Sequence, residues 1–447
     1  MMGTHSRRDF LALTGAVLAG ATRSLGAQAP AAGQKLYAYV GSYTTGRFGE
    51  GNGGGVTGFT VDMAKGTLTQ IYKTPAEFEN LNGGGMCISQ DGRFLYCLHE
   101  GATTLAPAGP GSAAGGRQAG PGGPGAPAGG RGALGPNGSG GSVLAFAINR
   151  ADGSLTYLNS VPSMGFAPVF AVIDRTGTRV IVGNHGAIQQ AVQVERRNGV
   201  PVIVNPTDDG TVALFPVKAD GSLEPASDVS VFDRKPLDQP GPGAAAHGMS
   251  FDNTGRWLVV TEVGLDALYV FAFDPNSRTL GARKKFPTPA GRAPRHVSFH
   301  PTLPYFYITN ERMNITSAFR FDARTGDVSP LNTQPSIPAD FTTRSSQADV
   351  RVRPDGRFVY VNNRGHNSLA TYSINEKTGD ITLVDMAPGL GGTREFDFDP
   401  SGTFLFAANN TTSQVVTFAS DRATGKLTPT GATAPVGRPA VIKFVTL

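Results

Sequence analysis

Histidine, arginine and glutamate are the side chains that move protons and bind anions, and in this chain of 447 residues they recur beside short apolar runs. His247 precedes one run and Glu262 ends the next; Arg295-His296 and Asn310-Glu311 flank a second pair of runs. Gln347 is answered by Asn363-Arg364, with His366 and Asn367 just beyond, and Arg394 is answered by Asn409-Asn410. Nearer the N-terminus, Asn82 with His99-Glu100 and the pair Asn184-His185 repeat the pattern. If each pair of runs is an antiparallel hairpin, residues equidistant from its turn face each other, so all of these groups lie at one end of their strands. At any single position a solvated strand end explains a polar residue better than a site does. Six hairpins converging Arg, His and Glu are instead what a concave small-molecule site requires.

Such convergence needs a repeated element to position it. One unit recurs from about residue 36 to the C-terminus: an apolar strand, a tight polar turn, a second strand, a third strand, and a small turn before Leu, Val or Ile. The last turn is seen at Lys65-Gly66, Asp152-Gly153, Asp220-Gly221, Ser277-Arg278, Thr325-Gly326, Thr378-Gly379 and Thr424-Gly425. The runs between turns, such as Trp257-Leu258-Val259-Val260 and Phe358-Val359-Tyr360-Val361, are short and β-branched or aromatic, which reads as strand. Seven copies of a four-strand unit predict an all-β fold, a seven-bladed β-propeller of four-stranded antiparallel blades over residues 35–447. The C-terminal run Ala440–Phe444 is expected to complete the blade begun at Leu36–Val40 and close the ring, which removes exposed sheet edges. Two segments break the period. Residues 101–141 are almost entirely Gly, Pro and Ala, a composition expected to stay disordered, and residues 187–209 contain Val200–Val204, expected to add a small hairpin to the third blade.

The remaining composition excludes several classes. With 60 Gly and 32 Pro, roughly one residue in five forms turns, which argues against an all-helical chain. The formal charge of +5 comes without a block of like charges, so nucleic-acid binding is not expected. Cys87 and Cys97 lie on the two arms of one hairpin but offset by one residue, hence on opposite faces, and no disulfide is expected. There is no G-x-S-x-G elbow, H-E-x-x-H helix or P-loop. Arg7-Arg8 before the short apolar run Leu11–Thr22 reads as a twin-arginine export signal over residues 1–29, with the Tat machinery as a partner, no stable membrane anchor and a periplasmic or extracellular destination.

Tyr39-Val40-Gly41-Ser42-Tyr43-Thr44, Pro294-Arg295-His296-Val297-Ser298-Phe299-His300-Pro301, Asn310-Glu311 and above all Asn363-Arg364-Gly365-His366-Asn367-Ser368 resemble the seven-bladed lactonase propellers, typified by bacterial 6-phosphogluconolactonases and fungal carboxymuconate-cyclising enzymes. The resemblance covers nearly all of the chain after the signal. It implies a site of His247, Arg295, Glu311 and Arg364, residues that the hairpin geometry also brings together, and a hydrolase that opens a sugar lactone. Glu311 and His247 are then the catalytic candidates, while Arg295, Arg364, His296, Glu262, Asn363, His366 and Arg394 are the substrate-binding ones. No cofactor is expected, and the protein is expected to act as a monomer. Two other readings stand beside this one. Glu262, Glu311 and Asn310 would hold a hard cation in a metal-dependent lactonase, although two carboxylates among several arginines make a poor cation site. An exported propeller that only binds a ligand or a protein needs no chemistry at all.

Overall fold

The computed structural model describes residues 34–44, 52–100, 141–186, 193–197, 200–204, 210–232 and 243–447. The expected export signal and all but the last residue of the 101–141 insertion lie outside the described residues. Short runs of Val, Ile, Phe and Tyr between glycine turns pair locally, and the result is seven four-stranded antiparallel sheets. Within each sheet the strands follow chain order from the inner to the outer edge, except in the first blade. There Leu36–Ser42, Val56–Asp62 and Thr67–Lys73 take their inner strand from the far end of the chain, Pro439–Thr446. The closing pair runs in register from Leu36 opposite Thr446 to Gly41 opposite Val441. In the third blade Gln193–Arg197 and Val200–Val204 form a separate two-stranded sheet. Cys97 lies opposite Met86 and Cys87 opposite Tyr96, and both thiols are free and buried.

The inner strands, among them Gly83–Ile88, Pro168–Ile173, Ala246–Phe251, Pro294–Phe299 and Ser346–Val352, surround a central channel. One repeated contact keys six of the seven blades to the next. The aromatic residue near the start of a second strand packs on the outer-turn glycine of the following blade: Tyr37 on Gly153, Phe94 on Gly221, Trp257 on Gly326, Tyr305 on Gly379, Phe358 on Gly425 and Phe404 on Gly66. Two residues further along the strand, the hydroxyls of Tyr39, Tyr96, Tyr307 and Tyr360 donate to the carbonyls of Gly153, Gly221, Gly379 and Gly425. The seventh junction has neither the aromatic nor the glycine; Arg179 Nε donates instead to the Ser277 carbonyl at 2.8 Å.

Gly425 and Gly431 separate the two demands made on such a turn. Both have positive φ, +73° and +79°, but a Cβ on Gly425 would strike the Phe358 ring while one on Gly431 meets nothing within 4 Å. Gly431→Ala is expected to lose about 1–2 kcal/mol from the left-handed conformation alone. Gly425→Ala is expected to lose roughly 1–3 kcal/mol more by displacing the ring. Thermal melts of the two variants check this; equal Tm values would show that the aromatic contact does not hold the blades together.

Candidate active site

At one end of the channel the inner strands leave regular pairing. Register shifts interrupt Gly83/Met86, Pro168/Phe170, Ala246/Met249, Pro294/Val297 and Gln347/Val350. The unbroken hairpin put His247 opposite Glu262, but Ala246 occupies that place and His247 falls in the bulge; likewise Pro294 faces Asn310, and Arg295-His296 fall in the next bulge. A bulge frees residues from strict alternation and turns their side chains toward a new direction. In the fourth, fifth and sixth blades a second-strand side chain staples the bulge to the following blade. The Gly248 N–H donates to Thr261 Oγ1 at 2.8 Å, and that hydroxyl reaches the Arg295 carbonyl at 2.5 Å. The His296 N–H donates to Thr309 Oγ1, which reaches the Ala348 carbonyl, and the Asp349 N–H donates to Asn362 Oδ1, whose amide donates to the Thr393 carbonyl.

The mouth so formed carries one polar contribution from every blade. Tyr43, Glu100, His185, His247, Arg295 with Glu311, Arg364 and Arg394 come from blades one to seven in turn. Glu311 is the hub of the charges: its Oε1 accepts from Arg364 at 2.5 Å and lies 3.6 Å from Arg295 Nε. Burial alone would raise the Glu311 carboxyl, but Arg295 and Arg364 together outweigh it and hold the group at about 2. The Arg295 guanidinium, only 2 % exposed, is pulled below its usual range by burial and then by Arg364, with Glu311 opposing. His247 is kept far below the usual imidazole range by burial and then by Arg295, so its ring is neutral; its Nδ1 is buried without a hydrogen-bond partner among the described residues. The imidazole rings of His296 and His185 lie 5.0 and 5.8 Å from it. Arg394 pairs with Glu100 at 3.5 Å and lies over the Tyr43 ring.

Beneath the mouth, His296 is fully engaged. Its Nδ1 lies 2.7 Å from Asp349 Oδ1 and its Nε2 faces Arg295 Nη1 at 3.1 Å. A guanidinium only donates, so Nε2 accepts, the proton sits on Nδ1, and the neutral imidazole donates to Asp349. Burial, with Arg295 next, holds His296 far below its usual range, in agreement with that assignment. The column continues from Asp349 through Arg351 at 2.7 Å to Glu395 and Lys443. Beyond it a hollow of about 590 Å³, walled by Phe170, Phe251 and Phe299, opens at the opposite end of the channel. This hollow and the chemistry thus occupy different ends, and the ion column separates them.

Three of the binding candidates do not point into the mouth. Glu262 is fully buried, and its carboxylate accepts from the N–H groups of Ala245, Gly264 and Leu265. Asn363 is equally buried and is used by Ser336 and Ser368. His296 acts from below, by holding Arg295. His366 stands on the adjoining turn, with Nδ1 2.6 Å from Ser368 Oγ and its ring edge-on to Phe341. Glu262, Glu311 and Asn310 form no cation cage, because the first carboxylate is committed to backbone amides and the second to two guanidinium groups. The hairpin reading named Glu100 only as a strand-end group and gave Tyr43 and Asp349 no role. Tyr43 was legible as the aromatic that follows the first strand; Asp349 was hidden because only the bulge turns it toward His296.

Comparison with known proteins agrees with this architecture. The family described as Lactonase, 7-bladed beta-propeller matches residues 133–444. A 6-phosphogluconolactonase of Bacillus subtilis (strain 168) is 32% identical over 307 residues, 68% of this chain and 81% of that protein. One from Pectobacterium atrosepticum is 26% identical over 295 residues, 62% of this chain and 88% of the other. In structure, the periplasmic gluconolactonase PpgL of Pseudomonas aeruginosa is similar with a TM-score of 0.72 at 24% identity, covering 92% of this chain and 99% of that one. With seven blades, a mouth built from all of them and a family match over well more than half its length, the chain belongs to the seven-bladed lactonase β-propeller family.

Proposed function

We propose that the mouth hydrolyses the ester bond of a sugar lactone and that it does so outside the cytoplasm. The observation that carries the reading is Glu311 between two guanidinium groups, one of which, Arg295, also helps to keep the His247 imidazole neutral. Opening a lactone requires a water to lose a proton as its oxygen bonds to the carbonyl carbon. The oxyanion that forms must be stabilised, and the departing ring oxygen must gain a proton. Arg295 and Arg364 supply fixed positive charge for the oxyanion or for an anionic substituent. Glu311 accepts the proton of the water. Bound by both arginines it is a weak base. A ligand that draws their N–H groups to itself releases the carboxylate and raises its proton affinity where the water attacks. The protonated Glu311 then returns that proton to the alkoxide, with the neutral His247 ring able only to relay it by giving one proton as it takes another, and the open hydroxy acid results. The Arg7-Arg8 segment supports export, and the periplasmic name of the Pseudomonas relative is consistent with it.

Hydrolysis of glucono-δ-lactone and of its 6-phosphate, measured with chelator present and corrected for spontaneous opening, tests this. Glu311→Gln, His247→Ala and Arg295→Ala are each expected to lower kcat/KM by about 100-fold or more. A wild-type rate no higher than the spontaneous one would leave a binding propeller.

Acid stability reports the same ion cluster. The folded Glu311 carboxyl lies at about 2, below the ordinary value of 4.5, so its stabilisation is complete above about pH 5 and disappears as pH falls through 4.5 toward 2. Its size is on the order of 3 kcal/mol. The Tm difference between wild type and Glu311→Gln is therefore expected to be constant at neutral pH and to close on acidification. A difference that stays level down to pH 2 would mean that the carboxylate is not held by the two arginines.

A further inference from the structure

Beside the Arg295, Glu311 and Arg364 cluster lies a second group of side chains that the hydrolytic step does not use. Tyr43 donates its hydroxyl to Glu100 Oε1 at 2.8 Å, and Arg394 Nη2 approaches the same oxygen at 3.5 Å while its guanidinium covers the Tyr43 ring at 5.2 Å. Both partners converge on Oε1. The other oxygen, Oε2, is buried with no hydrogen-bond partner among the described residues, in a side chain only 3 % exposed. A carboxylate oxygen removed from water and left bare is costly, and native structures rarely keep one without a use for it. The fold makes room for this one. A Cβ on Gly84 would overlap Glu100 Oε1, so the second inner strand passes the carboxylate as bare backbone. The Tyr43 phenol is held far above its ordinary value, chiefly by burial, and so remains a donor that pins Oε1 and directs the bare oxygen elsewhere. The group is continuous with the reaction site. Arg394 feels both Glu100 and Glu311, and Tyr43 feels Arg295.

We infer that Glu100, set by Tyr43 and Arg394, is a specificity subsite that accepts hydrogen bonds from the hydroxyl groups of a polyhydroxylated ligand. The inference rests on the lactone reading and deepens it, by naming the part of the ligand that this wall recognises. A bare anionic acceptor matches a hydroxyl donor, whereas a methylene in its place leaves the oxygen unpaired. Sites built around such a group discriminate strongly against analogues that lack the hydroxyl. The Arg394 guanidinium stands at ion-pair rather than hydrogen-bond distance from Oε1.

The experiment measures equilibrium binding of two six-carbon carboxylates, gluconate and hexanoate, to wild type, Glu100→Gln and Tyr43→Phe, with a melt of each protein to confirm folding. Gluconate is expected to bind wild type more tightly than hexanoate. Glu100→Gln is expected to weaken gluconate about tenfold and to leave hexanoate within twofold, since a charge-assisted hydrogen bond is replaced by a neutral one. Tyr43→Phe, which keeps the carboxylate but frees it to move, is expected to weaken gluconate about threefold and hexanoate not at all. Equal weakening of both ligands, or no weakening of gluconate, overturns the inference, and if Glu100→Gln does not fold Tyr43→Phe decides by the same criterion. Because no turnover is involved, the two readings fail separately. A protein that opens no lactone yet loses gluconate selectivity in these variants keeps the subsite and loses the hydrolase; one that hydrolyses lactones with unchanged selectivity does the reverse.

Discussion

A ring of sheets is rigid only when it is closed, and here closure depends on one strand exchange. Pro439–Thr446 forms the inner edge of a blade whose other three strands come from the start of the chain. That pairing gives the first blade its fourth strand and ties the two ends of the chain into one sheet, and it holds the seven inner strands at fixed spacing around the channel. The aromatic and glycine contacts between blades then transmit the constraint outward. Each ring fills the space above a residue that has no side chain, so neighbouring blades meet at one spacing. Where the glycine is absent, at Ser277-Arg278, the long reach of Arg179 takes over.

The functional end arises where this regularity is interrupted. Inner strands that bulge cannot satisfy all of their own backbone groups, and Thr261, Thr309 and Asn362 supply the missing partners from the next strand while reaching across to the following blade. The same side chains that repair the bulge therefore fix the distance between His247, Arg295 and Asp349 on successive blades. Beneath them, Asp349 sets the tautomer of His296, and His296 in turn presents an acceptor to Arg295. A guanidinium that is almost entirely buried is thus held from below by an imidazole and a carbonyl, and in front by a carboxylate. Pre-organisation of this kind lets charge act at full strength on a reacting carbonyl, because little has to reorient when the oxyanion appears.

Much of the fold was legible in the chain because its signals are local. Turn glycines, short β-branched runs and the repeat between them identify blades without reference to anything distant, and even the degenerate turn at Ser277-Arg278 fits the count. The offset of Cys87 from Cys97 was likewise readable, since the hairpin that carries them is short and regular on that stretch. The site was legible only in outline. Counting from the turns places His247, Arg295, Glu311 and Arg364 at one mouth, but it treats every hairpin as unbroken and so assigns Glu262 and Asn363 to the same surface. Both turn out to serve the backbone around them. The alternating pair Arg351 and Arg353 shows the same limit. On sequence they are equivalent, yet Arg351 enters the channel between three carboxylates, whereas Arg353 packs on the Phe358 ring and binds Asp355 and the carbonyls of the seventh blade.

By itself, then, the sequence determined the number of blades, their antiparallel pairing, the ring-closing strand and the end of the ring to which the polar residues come, since each follows from turns and periodicities spanning a few residues. Tertiary structure decided which of those polar groups face one another and which are consumed by the scaffold. The physical reason is range. A bulge is repaired by a neighbouring strand, a guanidinium is aimed by the next blade, and contacts such as Tyr39 with Gly153 join positions 114 residues apart, so no local pattern contains them.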